Sequence, residues 1–80
     1  EVTANLGVAL LKRGKPEEAA RVLAGGVTRY PESAKLRNVY GVVLDSAGKR
    51  DDAIVQFCEA LRIDPGFADA QRNLDVLGAK

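Results

Sequence analysis

Eighty residues suffice for one small domain and no more. Hydrophobic residues are 46% and charged residues 29%, which excludes an intrinsically disordered chain, and no apolar run approaches the roughly 20 residues of a membrane span. Net charge is +1, with seven basic against four acidic side chains in residues 1–40 and five against seven in residues 41–80; neither half carries the dense basic face of a nucleic-acid binder.

The first apolar set, Val2, Leu6, Ala9 and Leu10, recurs at helical spacing and predicts a helix over 2–13 with that face in the core. Gly14 stops it, since glycine takes the left-handed conformation that ends helices. Pro16 suits a first helical position, and Glu17 and Glu18 set negative charge at the positive end of a helix over 17–29. That helix carries Ala19, Val22, Leu23 and Val27 and stops before Pro31. Gly25-Gly26 is its one costly local choice, each glycine losing about 1 kcal/mol against alanine; close packing at Gly26 is the expected reason, a weak point in the hairpin the alternative. Ser33 caps a third helix, 33–47, with Leu36, Val39, Tyr40, Val43 and Leu44. Gly48 ends it, and Asp51-Asp52 open a fourth, 50–63, with Ala53, Ile54, Phe57, Ala60, Leu61 and Ile63. Asp64-Pro65-Gly66 turns the chain into a fifth helix, 67–77, with Ala70, Asn73, Leu74 and Leu77. No segment alternates with the period of a strand.

These elements repeat. Shifted by 34 positions, Gly7 falls on Gly41, Val8 on Val42, Leu10 on Leu44, Gly14-Lys15 on Gly48-Lys49, Ala19 on Ala53 and Pro31 on Pro65. Ala68 and Val76 continue the register from Ala34 and Val42. The first copy holds Leu6-Gly7, Leu10, Gly14, Ala19, Leu23, Gly26 and Pro31; the second holds Tyr40-Gly41, Leu44, Gly48, Ala53, Phe57, Ala60 and Pro65. A helix–turn–helix unit with these residues at these spacings resembles the tetratricopeptide repeat. The resemblance covers the entire chain. Thr3, Arg37 and Gln71 depart from it, standing where the family often has Trp, as does Asp75, which replaces the third copy's Gly, and Gly78, which stands where a large residue is usual.

The resemblance implies an all-α fold, a right-handed superhelical stack of antiparallel helical hairpins comprising about two and one-third repeats. The expected organisation is a single domain over 1–80: repeat 1 at 1–33, repeat 2 at 34–67, and a partial repeat or capping helix at 68–80. The chain starts without Met and inside a helical pattern, so it reads as a piece of a longer protein. No segment fixes its compartment; a soluble, cytoplasmic setting is slightly favoured.

The implied function is protein–protein interaction, with a partner peptide or helix held in a concave groove lined by the first helix of each repeat. Carried onto this chain, the groove comprises Ala4, Val8, Leu11 and Lys12, then Lys35, Asn38, Val42 and Asp45, then Asp69, Arg72 and Val76. Val8, Val42 and Val76 form an apolar row, with Asn38 placed to bond a partner's backbone. The basic clamp with which some members hold a terminal carboxylate is not expected, because its positions read Ala4, Val8, Val39, Asp69 and Asn73. Two other readings stay open: a structural segment of a longer array, self-associating through exposed terminal hairpins, or a substrate-positioning arm of a multidomain enzyme such as a glycosyltransferase.

Catalysis within the segment is not expected. With one cysteine and no histidine, a disulfide is impossible within the chain and zinc ligation is improbable on chemical grounds. Cys58 is expected to be a small packing residue, and Ser46 has no histidine to activate it. No Gly-Lys-Ser/Thr triplet follows a strand, so no phosphate loop is expected. No cofactor, metal, nucleic acid or membrane insertion is anticipated.

Overall fold

The computed structural model describes residues 2–78; Glu1 and the end of the expected capping segment, Ala79 and Lys80, lie outside the described residues. Five helices follow in order: α1 (Val2–Lys12), α2 (Pro16–Arg29), α3 (Ala34–Ser46), α4 (Arg50–Ile63) and α5 (Ala68–Gly78). Each expected helix is present, with ends moved by one residue at most. Links of three or four residues make successive helices antiparallel neighbours. The Cα atoms fill 27 × 27 × 16 Å. The short dimension fits two helix layers, whose axes lie 8–10 Å apart on cylinders of about 2.3 Å radius.

The two tight turns are copies of each other. Gly14 has φ +77° and Gly48 φ +81°, a region in which L side chains are strained. In each turn the following lysine N–H reaches back five residues, Lys15 to the Leu10 carbonyl at 3.0 Å and Lys49 to that of Leu44 at 2.8 Å. This six-to-one closure satisfies carbonyls that the helix end would otherwise leave open. Pro16 is the first residue of α2, as its fixed φ and missing N–H favour. The Ser33 side chain caps α3, its Oγ accepting from the Leu36 N–H at 3.2 Å.

Within each hairpin a glycine admits the largest buried side chain of the partner helix. A Cβ on Gly7 would lie 2.8 Å from Leu23 Cδ1, and one on Gly41 2.6 Å from Phe57 Cε1. Leu23 and Phe57 are correspondingly sealed in the core. One core cluster joins Ala4, Leu10, Ala19, Leu23, Val27, Leu36 and Val43; a second joins Leu44, Ala53 and Phe57. Tyr40 packs against both and fuses them. Gly26 is also packed tightly, a Cβ there falling 2.7 Å from Thr3 Cγ2, whereas Gly25 faces open space.

Several expectations are corrected. Val2, Leu6 and Ala9 are exposed; of the face expected to be buried on α1, only Leu10 is in the core. Cys58 is exposed as well, pointing away from the packed face of α4. Ile54 and Ile63 are half-buried at its margin. The cause is common to all: helical periodicity marks a face as apolar, but burial needs a neighbour against that face.

Arg37, standing where the resemblance favours Trp, ties the α2–α3 link by polar means. Its Nε and Nη2 donate to the Pro31 carbonyl at 3.2 and 3.1 Å, and its Nη1 donates to Gln56 Oε1 of α4 at 3.1 Å. Arg62 donates to Glu59 at 2.9 Å and Glu32 at 3.1 Å, joining α4 to the same link. Those hydrogen bonds, Glu59 first and Glu32 second, raise the guanidinium pKa above its ordinary value. At the far end Arg50 Nη2 donates to the Leu77 carbonyl at 2.5 Å, fastening the end of α5 to the start of α4.

Candidate functional site

α1, α3 and α5 carry the eleven positions expected to line the groove, and they have three different fates. Ala4 is 2% exposed and belongs to the first core cluster, so its expected place in the groove is corrected. A methyl group at that position is consumed by helix packing. Asn38 is 9% exposed, and its Oδ1 accepts a hydrogen bond from Asn73 Nδ2 of α5 at 3.0 Å. The oxygen it could offer to a partner's backbone is thereby engaged inside the fold, because a buried amide carbonyl needs a donor close by.

A second set is half-buried. Val8 lies partly open on α1. Leu11 packs against the first cluster and Val42 against the second. The remaining positions, Lys12, Lys35, Asp45, Asp69, Arg72 and Val76, are exposed, with Val76 at 63%. Arg72 Nη2 donates to Asp69 Oδ1 one helical turn away, so these two charges largely cancel locally. An exposed pair of this kind adds little to stability.

One cleft brings part of the expected groove together. Val42, Asp45 and Ser46 of α3 face Asn73, Val76 and Leu77 of α5 across a cleft of about 140 Å³, with Phe57 of α4 beneath. Three of the eleven positions, Val42, Asp45 and Val76, therefore meet at one place. Val8 does not reach it. The cleft has an apolar floor and polar rim groups in Asp45, Ser46 and Asn73, which suits one aliphatic side chain flanked by a hydrogen-bond donor.

A larger recess lies elsewhere. Ala20 and Ala24 of α2, with Tyr40 and Leu44 of α3, line a shallow hollow of about 380 Å³ between α2 and α4, edged by Glu17, Arg21, Lys49 and Asp52. Sequence reasoning passed over it. Its signal is present: Ala20 and Ala24 sit one turn apart on α2, and two small side chains on one helical face leave a hollow wherever a bulkier pair stands opposite. Charges of both signs edge the recess, so it favours neither anionic nor cationic partners.

The described residues contain no group of three His, Cys, Asp or Glu side chains able to hold a metal ion. No described helix is long and apolar enough to cross a membrane.

Comparison with known proteins places these features in context. The family pattern described as tetratricopeptide repeat matches residues 5–68. Protein FlbA of Caulobacter vibrioides is 39% identical over 69 residues, an alignment covering 86% of this chain but 12% of that protein. The chain thus corresponds to a small part of this longer relative.

Proposed function

The chain belongs to the tetratricopeptide repeat family, and from that premise we propose that it holds a peptide or helix of a partner protein across the face of α1, α3 and α5. The family supports the general role, a protein-interaction module. The particular site rests on one observation: the cleft in which Val42 and Asp45 of α3 meet Val76 of α5. At about 140 Å³ it falls well short of the roughly 300–1,000 Å³ of a small-molecule site. It is sized for a single side chain, the scale at which a helix or extended segment anchors in a groove.

In this reading an apolar anchor of the partner enters between Val42 and Val76, and a donor beside that anchor meets the Asp45 carboxylate. Val8 extends the apolar surface along α1. Asp69 and Arg72 neutralise one another, so binding falls only slightly between low and physiological salt. No step of catalysis is assigned to this segment.

Val76→Glu is the test, because the side chain is 63% exposed and its replacement spares the core. A displayed peptide library is selected on the parent chain and on the variant, with circular dichroism confirming that both fold. Peptides enriched on the parent and lost on Val76→Glu support the reading. Enrichment that survives Val76→Glu but is lost on Arg21→Glu assigns binding to the recess between α2 and α4 instead. That recess is the second reading, favoured by its larger volume of about 380 Å³.

A further inference from the structure

The last turns of α1, α2 and α4 each carry a basic side chain, Lys12, Arg29 and Arg62, where the negative end of a helix favours one. The last turn of α3 carries none. In the 34-residue register Ser46 of α3 stands where α1 has Lys12, and Asp45 stands where α1 has Leu11. The second repeat thus lacks the cation and has a carboxylate at the same end. A carboxylate in that turn repels the carbonyls it stands beside, so helix stability does not account for Asp45. Nor does pairing: among the described residues the Asp45 side chain is in no ion pair and accepts no hydrogen bond.

Asp45 and Ser46 edge the cleft between α3 and α5, where Val42, Val76 and Leu77 supply aliphatic walls and Phe57 the floor. Three polar side chains line that cleft, and each offers an oxygen. The Asp45 carboxylate is an acceptor, and Ser46 Oγ can serve as one. Asn73 spends its Nδ2 on Asn38 Oδ1 at 3.0 Å, leaving its own Oδ1 as an acceptor. No Lys or Arg side chain lines the cleft among the described residues. Arg50 comes near, but its Nη2 is committed to the Leu77 carbonyl. Aliphatic walls that lead to oxygens at the rim are the complement of one kind of side chain: hydrocarbon for most of its length and cationic at its tip.

We infer that the cleft takes a lysine side chain of a partner peptide, with its methylene stem between Val42 and Val76 and its ammonium among Asp45, Ser46 and Asn73. Resting on the groove reading, this gives the anchor an identity: the apolar contact and the donor to Asp45 come from one residue. Lysine suits the cleft better than arginine does. An ammonium has three donors to set against three separate oxygens, whereas a guanidinium carries five in a planar fork that matches the two oxygens of one carboxylate. Lysine is also the slimmer of the two for a space of about 140 Å³. The bound ammonium stands at the end of α3 in the role that Lys12 has at the end of α1. A single pair held partly out of water is screened less than open surface charges, so the dependence on salt stays small.

Peptides selected from a displayed library on the parent chain are resynthesised with each residue replaced in turn, lysine by norleucine, which keeps the stem and removes the charge. Fluorescence anisotropy gives their affinities for the parent, for Asp45→Asn and for Val76→Trp, the last crowding the cleft without altering its charge. Both substituted side chains are exposed, and circular dichroism confirms that each variant folds. The expected result is one lysine per peptide whose replacement weakens binding about tenfold or more on the parent, the scale of a charged hydrogen bond, and hardly at all on Asp45→Asn. Peptides that are lost on Val76→Trp but anchored by an aliphatic residue or an arginine, or that are indifferent to Asp45→Asn, overturn the lysine and leave the groove reading in place. Peptides that bind Val76→Trp as they bind the parent overturn both, as does a library from which the parent enriches nothing.

Discussion

Replacing glycine with alanine has opposite expected consequences at two helical sites of this chain. At Gly41 the new Cβ would sit 2.6, 2.8 and 2.9 Å from three ring carbons of Phe57, a ring 2% exposed and enclosed by Leu44 and Ala53. Carbon atoms pack best at about 3.5–4.0 Å. The ring or the helix axis must therefore retreat by about 1 Å inside a close-packed core, a distortion costing about 1–3 kcal/mol. Higher helix propensity returns about 1 kcal/mol of that, leaving a net loss of up to about 2 kcal/mol. At Gly25 nothing stands within 4 Å of the added methyl, and the residue is exposed inside α2. Only the propensity term acts there, for a gain of about 1 kcal/mol. In a domain of this size 1 kcal/mol shifts the melting temperature by roughly 4–8 °C. Urea denaturation followed by far-ultraviolet circular dichroism measures both variants against the parent. A Gly41→Ala chain as stable as Gly25→Ala would refute the close approach of α3 to α4 at Phe57.

Ala53→Leu is expected to destabilise by about 1–3 kcal/mol through overpacking, since Ala53 has no exposed surface, and Phe57→Ala by about 3–5 kcal/mol; denaturation midpoints check both, and changes under about 0.5 kcal/mol, the ordinary surface range, would contradict the core assignment. Asn73→Ala removes the donor to Asn38 Oδ1 and is expected to cost about 1–3 kcal/mol. A double-mutant cycle with Asn38→Ala measures the coupling, and zero coupling would show that the bond contributes nothing in solution.

The parts of the fold that were legible in the sequence are those decided locally. Gly14 and Gly48 end helices because the backbone there turns left-handed, and Pro16 opens one because of its own ring. Those constraints belong to single residues, so position alone reveals them. Pairings within the repeat were legible too, because Gly7 with Leu23 and Gly41 with Phe57 recur in one register. The site was harder to read. Asn38 looked available on α3, yet its partner Asn73 lies 35 residues on, one step off the repeat, and a search in register passes over such a pair. Ala4 looked open because its exposure depends on how closely α1 and α3 approach. Exposure of Val2 and Leu6 was equally hidden, since apolar spacing is the same whether or not a neighbour covers it.

The bond between Asn38 and Asn73 also bears on how α5 is positioned lengthwise. Leu74 and Leu77 hold α5 against the stack by contacts that have no preferred direction, and oily surfaces of this kind tolerate sliding. A slip of one turn would carry the α5 side chains about 5.4 Å along the helix. The 3.0 Å amide pair cannot follow such a slip, and neither can the Arg50 donor at the Leu77 carbonyl. Two polar latches, one at the middle of the helix and one near its C-terminal end, thus select a single setting from several that the leucines alone would accept. The gap between Val42 and Val76 is defined by that setting: the latches act as the stop that fixes how wide the jaws stand.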